Sequence, residues 1–362
     1  MTDLKDIAGR FLLEGEILSI ERVGEGFIND TFRIFTSADA PDYILQRKNS
    51  NVFRDVEGMM SNIMRVTAHI RKKVSDAGGD SSREVLTVVP AEDGRPFFRD
   101  PDGNYWTVSV FVKDAVVYDK ADSLELARMG GEGIGRFQEQ LSDFAEPLTD
   151  TIPGFHDIRH RFSQWDDTLR RDPAGRRSAL AEEISWIESR RERMLGFKKL
   201  VEEGTIPTRV THNDTKISNI LFDGDGKVLC VIDLDTVMSA PALYDFGDAI
   251  RSYANTGEED DRNLENVGIS LDMFRAYAEG YLSARGGSLT EAEKDNLAFS
   301  ALYITYEQVL RFLMDYIDGD NYYKIKYPDH NLVRTHAQFK LLTDMEGKYG
   351  DMVEIVAGLC KR

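Results

Sequence analysis

Positive charge is what this 362-residue chain is short of: 45 lysines and arginines stand against 63 aspartates and glutamates, a formal net charge of −18. Such a surface repels phosphate backbones and anionic bilayers. That argues against nucleic acid or a membrane as partner and favours a monomer. A pocket for a polyanion would need its own cations or a metal ion to work against that field. Cysteine is scarce too. The two present, Cys230 in an apolar run and Cys360 near the C-terminus, supply no disulfide framework and suit a reducing compartment. No stretch approaches about 18 uninterrupted apolar residues, so no segment is expected to cross a bilayer. The opening MTDLKDIAGRFLLEGEIL is acidic where a secretory leader needs positive charge, which makes a cytoplasmic location the expectation. Internal repeats and low-complexity tracts are missing as well.

The rest of the composition is ordinary, with 41% hydrophobic and 30% charged residues, and the length suffices for two lobes around substantial cores. The first third reads as strand. EILSIERV and FINDTFRIF flank the turn Gly24-Glu25-Gly26, and DYILQRK follows TSADAPD. Val56, Met59, Met60, Ile63, Val66 and Ile70, spaced three and four apart, predict a helix over 52–74. REVLTVVPA and YWTVSVFV then resume the strand signal. Beyond Val112 helical periodicity takes over, at 122–140, 177–203, 271–283, 291–317 and 331–348, with a strand-rich interval at 209–235. The expectation is therefore an α+β chain, with a small β-rich nucleotide-binding lobe over 1–112 and a larger helical catalytic and substrate-binding lobe over 113–362.

Chemistry concentrates in that strand-rich interval, RVTHNDTKISNILFDGDGKVLCVIDLDTV. THNDTKISN is a polar loop, ILF and VLCVI are strands across a DGDG turn, and DLDT is the polar exit. Pairing of the two strands is expected to gather Asp214, Asn219, Asp233 and Asp235. Several hard oxygen ligands in one place need a compensating cation, and Mg²⁺ fits best. The spacing His212-x-Asp214-x4-Asn219, with Asp233 closing a strand downstream, is the order used in kinase-type phosphoryl transfer. In that order Asp214 orients the attacking hydroxyl, Asn219 and Asp233 hold the metal, and the Lys216 ammonium meets the moving phosphoryl group. Asp235 is a candidate for a second Mg²⁺ or a sugar hydroxyl. The plainer alternative is a loop capped by its own Asx side chains.

Two further motifs invite misreading. YDFGD at 244–248 spells D-F-G, yet Asp245 follows a proline-containing connection and opens a helix, so it is expected to cap that helix and hydrogen-bond the catalytic loop. HDIRH holds His156 and His160 at zinc-protease spacing, with Asp in place of Glu and no third ligand nearby, and reads as a surface or satisfied helix pair. For the nucleotide, no GxxxxGK[ST] loop exists. The turn bearing Gly24 and Gly26 can fold backbone N–H groups over phosphates. The third strand carries Gln46 where a phosphate-binding lysine is expected, flanked by Arg47 and Lys48. Alternation sends Arg47 to the other face unless a bulge intervenes.

Taken together, THNDTKISNILFD, IDLDTVM, YDFGDAIR, YILQRKN, RFLMDYIDGDNYY and KYPDHNLVRT resemble segments of the aminoglycoside phosphotransferase and choline kinase superfamily, and within it the N-acetylhexosamine 1-kinases, over essentially the whole chain. The resemblance implies a protein-kinase-like two-lobed fold and Mg·ATP-dependent phosphorylation of the anomeric hydroxyl of a small-molecule sugar, N-acetylglucosamine or N-acetylgalactosamine. It implies Asp214 as catalytic base, Asn219 and Asp233 as Mg²⁺ ligands, Gln46 and Arg47 at the nucleotide, and Arg311 and Tyr322 at the sugar. On their own, Arg311 would read as a helix ion pair and Tyr322 as loop packing. Two positions depart from the family pattern. Phe27 stands where a sugar-contacting His is expected, and Ser252 replaces an aromatic residue. A lost imidazole weakens discrimination among hydroxyls, leaving an aminoglycoside, choline or another hexose as alternative acceptors. Gln46 in place of Lys also keeps open a non-catalytic nucleotide-binding module.

Overall fold

The computed structural model describes residues 3–24 and 28–361. In chain order the elements are α1 (Leu4–Ala8), β1 (Ile17–Arg22), β2 (Asp30–Thr36), β3 (Tyr43–Lys48), α2 (Val56–Asp76), β4 (Val88–Val89), β5 (Phe98–Arg99) and β6 (Tyr105–Val110). There follow α3 (Leu124–Gln140), α4 (Ile158–Arg171), α5 (Ala181–Glu202), β7 (Thr208–Thr211), β8 (Ile220–Phe222), β9 (Val228–Val231) and β10 (Met238–Pro241). The chain ends in α6 (Ala242–Tyr253), α7 (Leu271–Arg285), α8 (Glu291–Asp318), α9 (His330–Gly347) and α10 (Tyr349–Cys360). None of the described helices is long and apolar enough to cross a membrane.

The chain divides into two compact units, neither continuous in sequence. The sheet unit comprises the residues up to Val117, Gln140–Pro153 and Asn219–Ser239. The helical unit comprises Tyr118–Glu139, Gly154–Ser218 and the chain from Ala240 onward.

In the sheet unit, antiparallel strands run in the order β1-β2-β3-β6-β4, with β5 also on β6. Alternation makes one face apolar: Ile34, Tyr43, Leu45, Trp106 and Val108 pack with Ile7, Ala8 and Phe11 from the N-terminal segment. Trp106 satisfies its indole by donating to Asp100 at 2.9 Å. The periodic stripe of α2 is buried as expected, and its Asp55 cap accepts from the Gly58 N–H.

In the helical unit, α8 is buried on nearly every side, packing against α4, α6, α9 and α10. It starts at a reciprocal Thr290/Glu293 capping box and stops at Gly319 in the left-handed region (φ 98°). Helix α3 contains MGGEGIG, poor helix formers in the middle of a helix. Packing explains one of them and a glycine of the facing helix. A Cβ on Gly131 would strike the Tyr277 backbone, and one on Gly280 of α7 the Arg128 carbonyl. Two helices are therefore in backbone contact, and side chains there would push them apart. Helix α4 was not among the expected helices because only Ile158, Phe162, Trp165 and Thr168 of its fourteen residues are buried. Its apolar stripe is one residue wide.

Candidate active site

The loop of the H-x-D-x4-N motif begins in the helical unit, where β7 delivers it. Two buried carboxylates from α6 hold it. Asp245 accepts from the His212 N–H at 2.9 Å, the Asn213 N–H at 2.7 Å and the Gln138 amide at 2.7 Å. Three residues on, Asp248 accepts from the Thr215 N–H at 2.9 Å and its hydroxyl at 3.1 Å. Positions 245 and 248 share one face of α6, so a single helix clamps both sides of Asp214. Burial pushes the Asp245 carboxyl above its ordinary range. For Asp248 burial acts the same way, but the Arg251 cation and the Thr215 N–H outweigh it and hold that carboxyl low. As expected from the sequence, Asp245 serves the loop. It does not cap α6, whose cap position is Pro241.

Asp214 itself is partly exposed, and Lys216 Nζ lies 3.0 Å from its Oδ1. The nearby carboxylate raises the Lys216 pKa, so the ammonium stays charged beside Asp214. A second support reaches the loop from below. Buried His156 lies 2.7 Å from Glu307, which also accepts from Arg161 Nε at 3.1 Å, and His156 Nε2 approaches the Asn213 carbonyl at 3.5 Å. Burial would raise the Glu307 carboxyl, yet His156 and Arg161 hold it well below the usual carboxylate range. An ionised Glu307 only accepts, so His156 Nδ1 carries a proton. The expectation for HDIRH needs correction here: His156 precedes α4 in a left-handed conformation (φ 55°) and is buried, whereas His160 is exposed. The two form neither a zinc pair nor a surface pair.

The metal candidates lie in the sheet unit. Ile220 pairs with Val231 across the β8–β9 hairpin, and the Ile232 N–H donates to the Asn219 carbonyl at 2.9 Å. Asn219 and Asp233 therefore emerge at the same end of one hairpin. Asp233 occupies the left-handed region (φ 58°, ψ 53°), a conformation that costs a non-glycine residue and is concentrated at functional sites. Asp235 is placed differently from a metal ligand. Lys48 Nζ sits 2.8 Å from both of its oxygens, and the Asn29 amide donates to one of them at 2.7 Å. With Asp235 held in that ion pair, the metal candidates at the hairpin end are the oxygen-bearing side chains of Asn219 and Asp233. That donor set fits Mg²⁺, which usually takes one or two protein ligands and completes its shell with phosphate oxygens and water. Among the described residues no cluster of three or more His, Cys, Asp or Glu could cage a metal without such help.

Strand β3 keeps regular register with β2 and β6, so no bulge turns Arg47 inward. Arg47 lies on the exposed face, paired with Asp30. Gln46 and Lys48 share the other face, with Lys48 Nζ donating to Gln46 Oε1 at 2.7 Å. Lys48 is the inward cation that a reading centred on Gln46 and Arg47 missed. Period-two alternation placed it on the Gln46 face, but only its distant acidic partner shows that it is buried.

Of the nucleotide-loop candidates, Gly24 adopts positive φ (60°), as a tight turn requires. Gly26 and Phe27 lie outside the described residues. The two sugar candidates come together in the helical unit: the Arg311 guanidinium is 5.7 Å from the Tyr322 ring centroid, 5.5 Å from Tyr323 and 5.9 Å from Phe155. Tyr322 is largely exposed, so this cation–π cluster presents an aromatic rim to solvent.

A β-sheet region leading into a larger helical region, with an H-x-D-x4-N loop between strands, defines a protein-kinase-like fold of the small-molecule phosphotransferase class. Residues 19–286 match the phosphotransferase enzyme family, APH, and the chain belongs to it. Solved structures of similar fold include a microcompartment-associated aminopropanol kinase (17% identity, 99% of this chain and 94% of that one, TM-score 0.60). An aminoglycoside phosphotransferase from Alicyclobacillus acidocaldarius is also similar (12% identity, 98% and 96% coverage, TM-score 0.58). So is a choline kinase from Cryptosporidium parvum (13% identity, 95% and 93% coverage, TM-score 0.52).

Proposed function

We propose that the protein is a Mg·ATP-dependent kinase that phosphorylates the anomeric (C1) hydroxyl of an N-acetylhexosamine. The observation that carries the phosphotransfer reading is the double clamp of Asp245 and Asp248 on the Asp214 loop. Two buried carboxylates are a costly way to hold a surface turn, and an economical way to fix a catalytic aspartate to the tolerance that proximity catalysis demands. In this reading 1–112 is the nucleotide-binding lobe and 113–362 the catalytic and substrate lobe. Asp214 orients the acceptor hydroxyl and takes its proton as that oxygen bonds to the γ-phosphorus and the bond to the ADP oxygen breaks. Lys216, 3.0 Å from Asp214, lies beside the transferring group. Asn219 and Asp233 would hold Mg²⁺, which when bound neutralises the phosphate charge. Gln46 and Lys48 are proposed to serve the nucleotide phosphates, together with the glycine turn that bears Gly24 and Gly26 in the sequence.

The sugar assignment rests on the resemblance of the whole chain to N-acetylhexosamine 1-kinases, supported by the juxtaposition of Arg311 and Tyr322. Phosphorus NMR of products from an acceptor panel with Mg·ATP tests both levels. A 1-phosphate of an N-acetylhexosamine supports the full assignment. A phosphorylated amino alcohol or aminoglycoside replaces the sugar while keeping the kinase, and no phosphorylated product from any acceptor rejects both.

A further inference from the structure

A cavity of about 190 Å³ lies within the helical unit. Lys216 and Ser252 form part of its lining, as do Arg251 and, from α9, Gln338. Two features set it apart from an ordinary surface recess. First, Gln338 is fully buried, yet among the described residues neither its amide oxygen nor its amide nitrogen has a hydrogen-bond partner, and the Arg251 Nε–H is likewise buried and unpaired there. Unpaired buried polar groups cost about 1–3 kcal/mol each, so an amide left with both ends open implies an occupant that pairs with it.

Second, the charges of the lining cancel. Three acids, Asp119, Glu258 and Glu259, face three cations, Lys120, Lys216 and Arg251. The pairing is also local. Arg251 holds Glu259 at 2.7 Å, Lys120 holds Glu258 at 2.8 Å, and Lys216 is committed to Asp214 at 3.0 Å. Only Asp119, exposed to water, lacks an ion pair among the described residues. On a chain of net charge −18 a neutral lining is a local exception. An ammonium entering it would find no free carboxylate in a desolvated position, so its lost hydration would go uncompensated. A hydroxyl or amide would find Gln338 and Arg251 Nε open.

We propose that this cavity is the acceptor subsite of the phosphotransfer reaction, and that Gln338 and the Arg251 Nε–H bind a neutral hydrogen-bonding substituent, an amide or hydroxyl, while turning away ammonium-bearing acceptors. The inference rests on the kinase reading and names side chains that would select a neutral acceptor.

The test is calorimetric binding of N-acetylglucosamine and of ethanolamine to the full chain, beside the same ligands in a turnover assay. The wild type is expected to bind the sugar and not the amine. Gln338→Leu should weaken sugar binding about tenfold and leave the KM for ATP in place. Gln338→Glu, which adds an uncompensated carboxylate, should weaken the sugar and admit ethanolamine. Should these variants fail to fold, the side-chain amide resonance of Gln338, followed in wild-type protein carrying isotope-labelled glutamine, should shift with sugar and not with ethanolamine. Unchanged sugar affinity in Gln338→Leu, an unmoved resonance, or tighter binding of ethanolamine than of sugar would overturn the assignment. Binding needs no chemistry, so the two readings fail separately. Sugar bound through Gln338 without phosphate transfer sinks the kinase and keeps the subsite. Sugar phosphorylation indifferent to Gln338 does the reverse.

Discussion

The pair Lys48–Asp235 offers the sharpest test of the sheet unit. Its side chains are 3% and 6% exposed, and Nζ reaches both carboxylate oxygens at 2.8 Å. Lys48→Met removes the ammonium while keeping the stem, and leaves Asp235 with a single side-chain amide donor among the described residues, Asn29. An uncompensated buried charge costs about 3–5 kcal/mol, a large share of a typical stability of about 5–15 kcal/mol. Asp235→Asn strands the ammonium instead, with Gln46 Oε1 and one amide oxygen as acceptors, and should cost a similar amount. The double variant strands neither, so it should cost no more than either single change, a coupling of about 3 kcal/mol. Guanidinium denaturation gives the three free energies, and hydrogen exchange at the β3 and β6 amides locates the loss. If the costs of the single changes simply add, the two groups do not meet in a buried pair, and the exclusion of Asp235 from metal binding loses its basis.

Other consequences are as direct. Asp214→Asn should lower turnover by about 10²–10⁴-fold or more while leaving nucleotide affinity intact, read by steady-state kinetics and ADP titration. Glu307 is ordinarily a carboxyl of about 4.3, held lower in the fold. Its contribution to stability is therefore complete above that pH and lost as pH falls through the depressed value. In Glu307→Gln the acid limb of a stability–pH profile should flatten below about pH 4.3, and a limb as steep as the wild type's would contradict the His156–Glu307–Arg161 network. Gly280→Ala should abolish or severely reduce soluble folded protein, because its methyl meets the Arg128 carbonyl. A melting point near that of the wild type would mean that α3 and α7 can separate without cost.

Much of this protein is legible from local rules. Alternation in EILSIERV and DYILQRK predicts strands on its own, because one face of a pleated strand must be buried. The three-four spacing of 56–70 marks α2 for the equivalent reason in a helix. The loop motif and the hairpin were readable because Asp214, Asn219 and Asp233 lie within twenty residues of one another, and a short DGDG turn leaves the two strands around it one way to pair. For Asp245 only the loop contact followed from its neighbours; the expected cap on α6 did not.

What needed the tertiary structure was every contact whose partners lie far apart in sequence. Alternation puts Lys48 on the Gln46 face, but its partner Asp235 is 187 positions away, and without that partner nothing distinguishes a buried cation from a solvated one. The same holds for His156, tied to a glutamate 151 residues on, and for Gln338, whose importance lies in having no partner at all among the described residues. Periodicity reports which face of an element is buried. It carries no information about what waits on the other side, because that depends on packing between distant segments, and a charged or amide side chain takes its meaning from what it meets there.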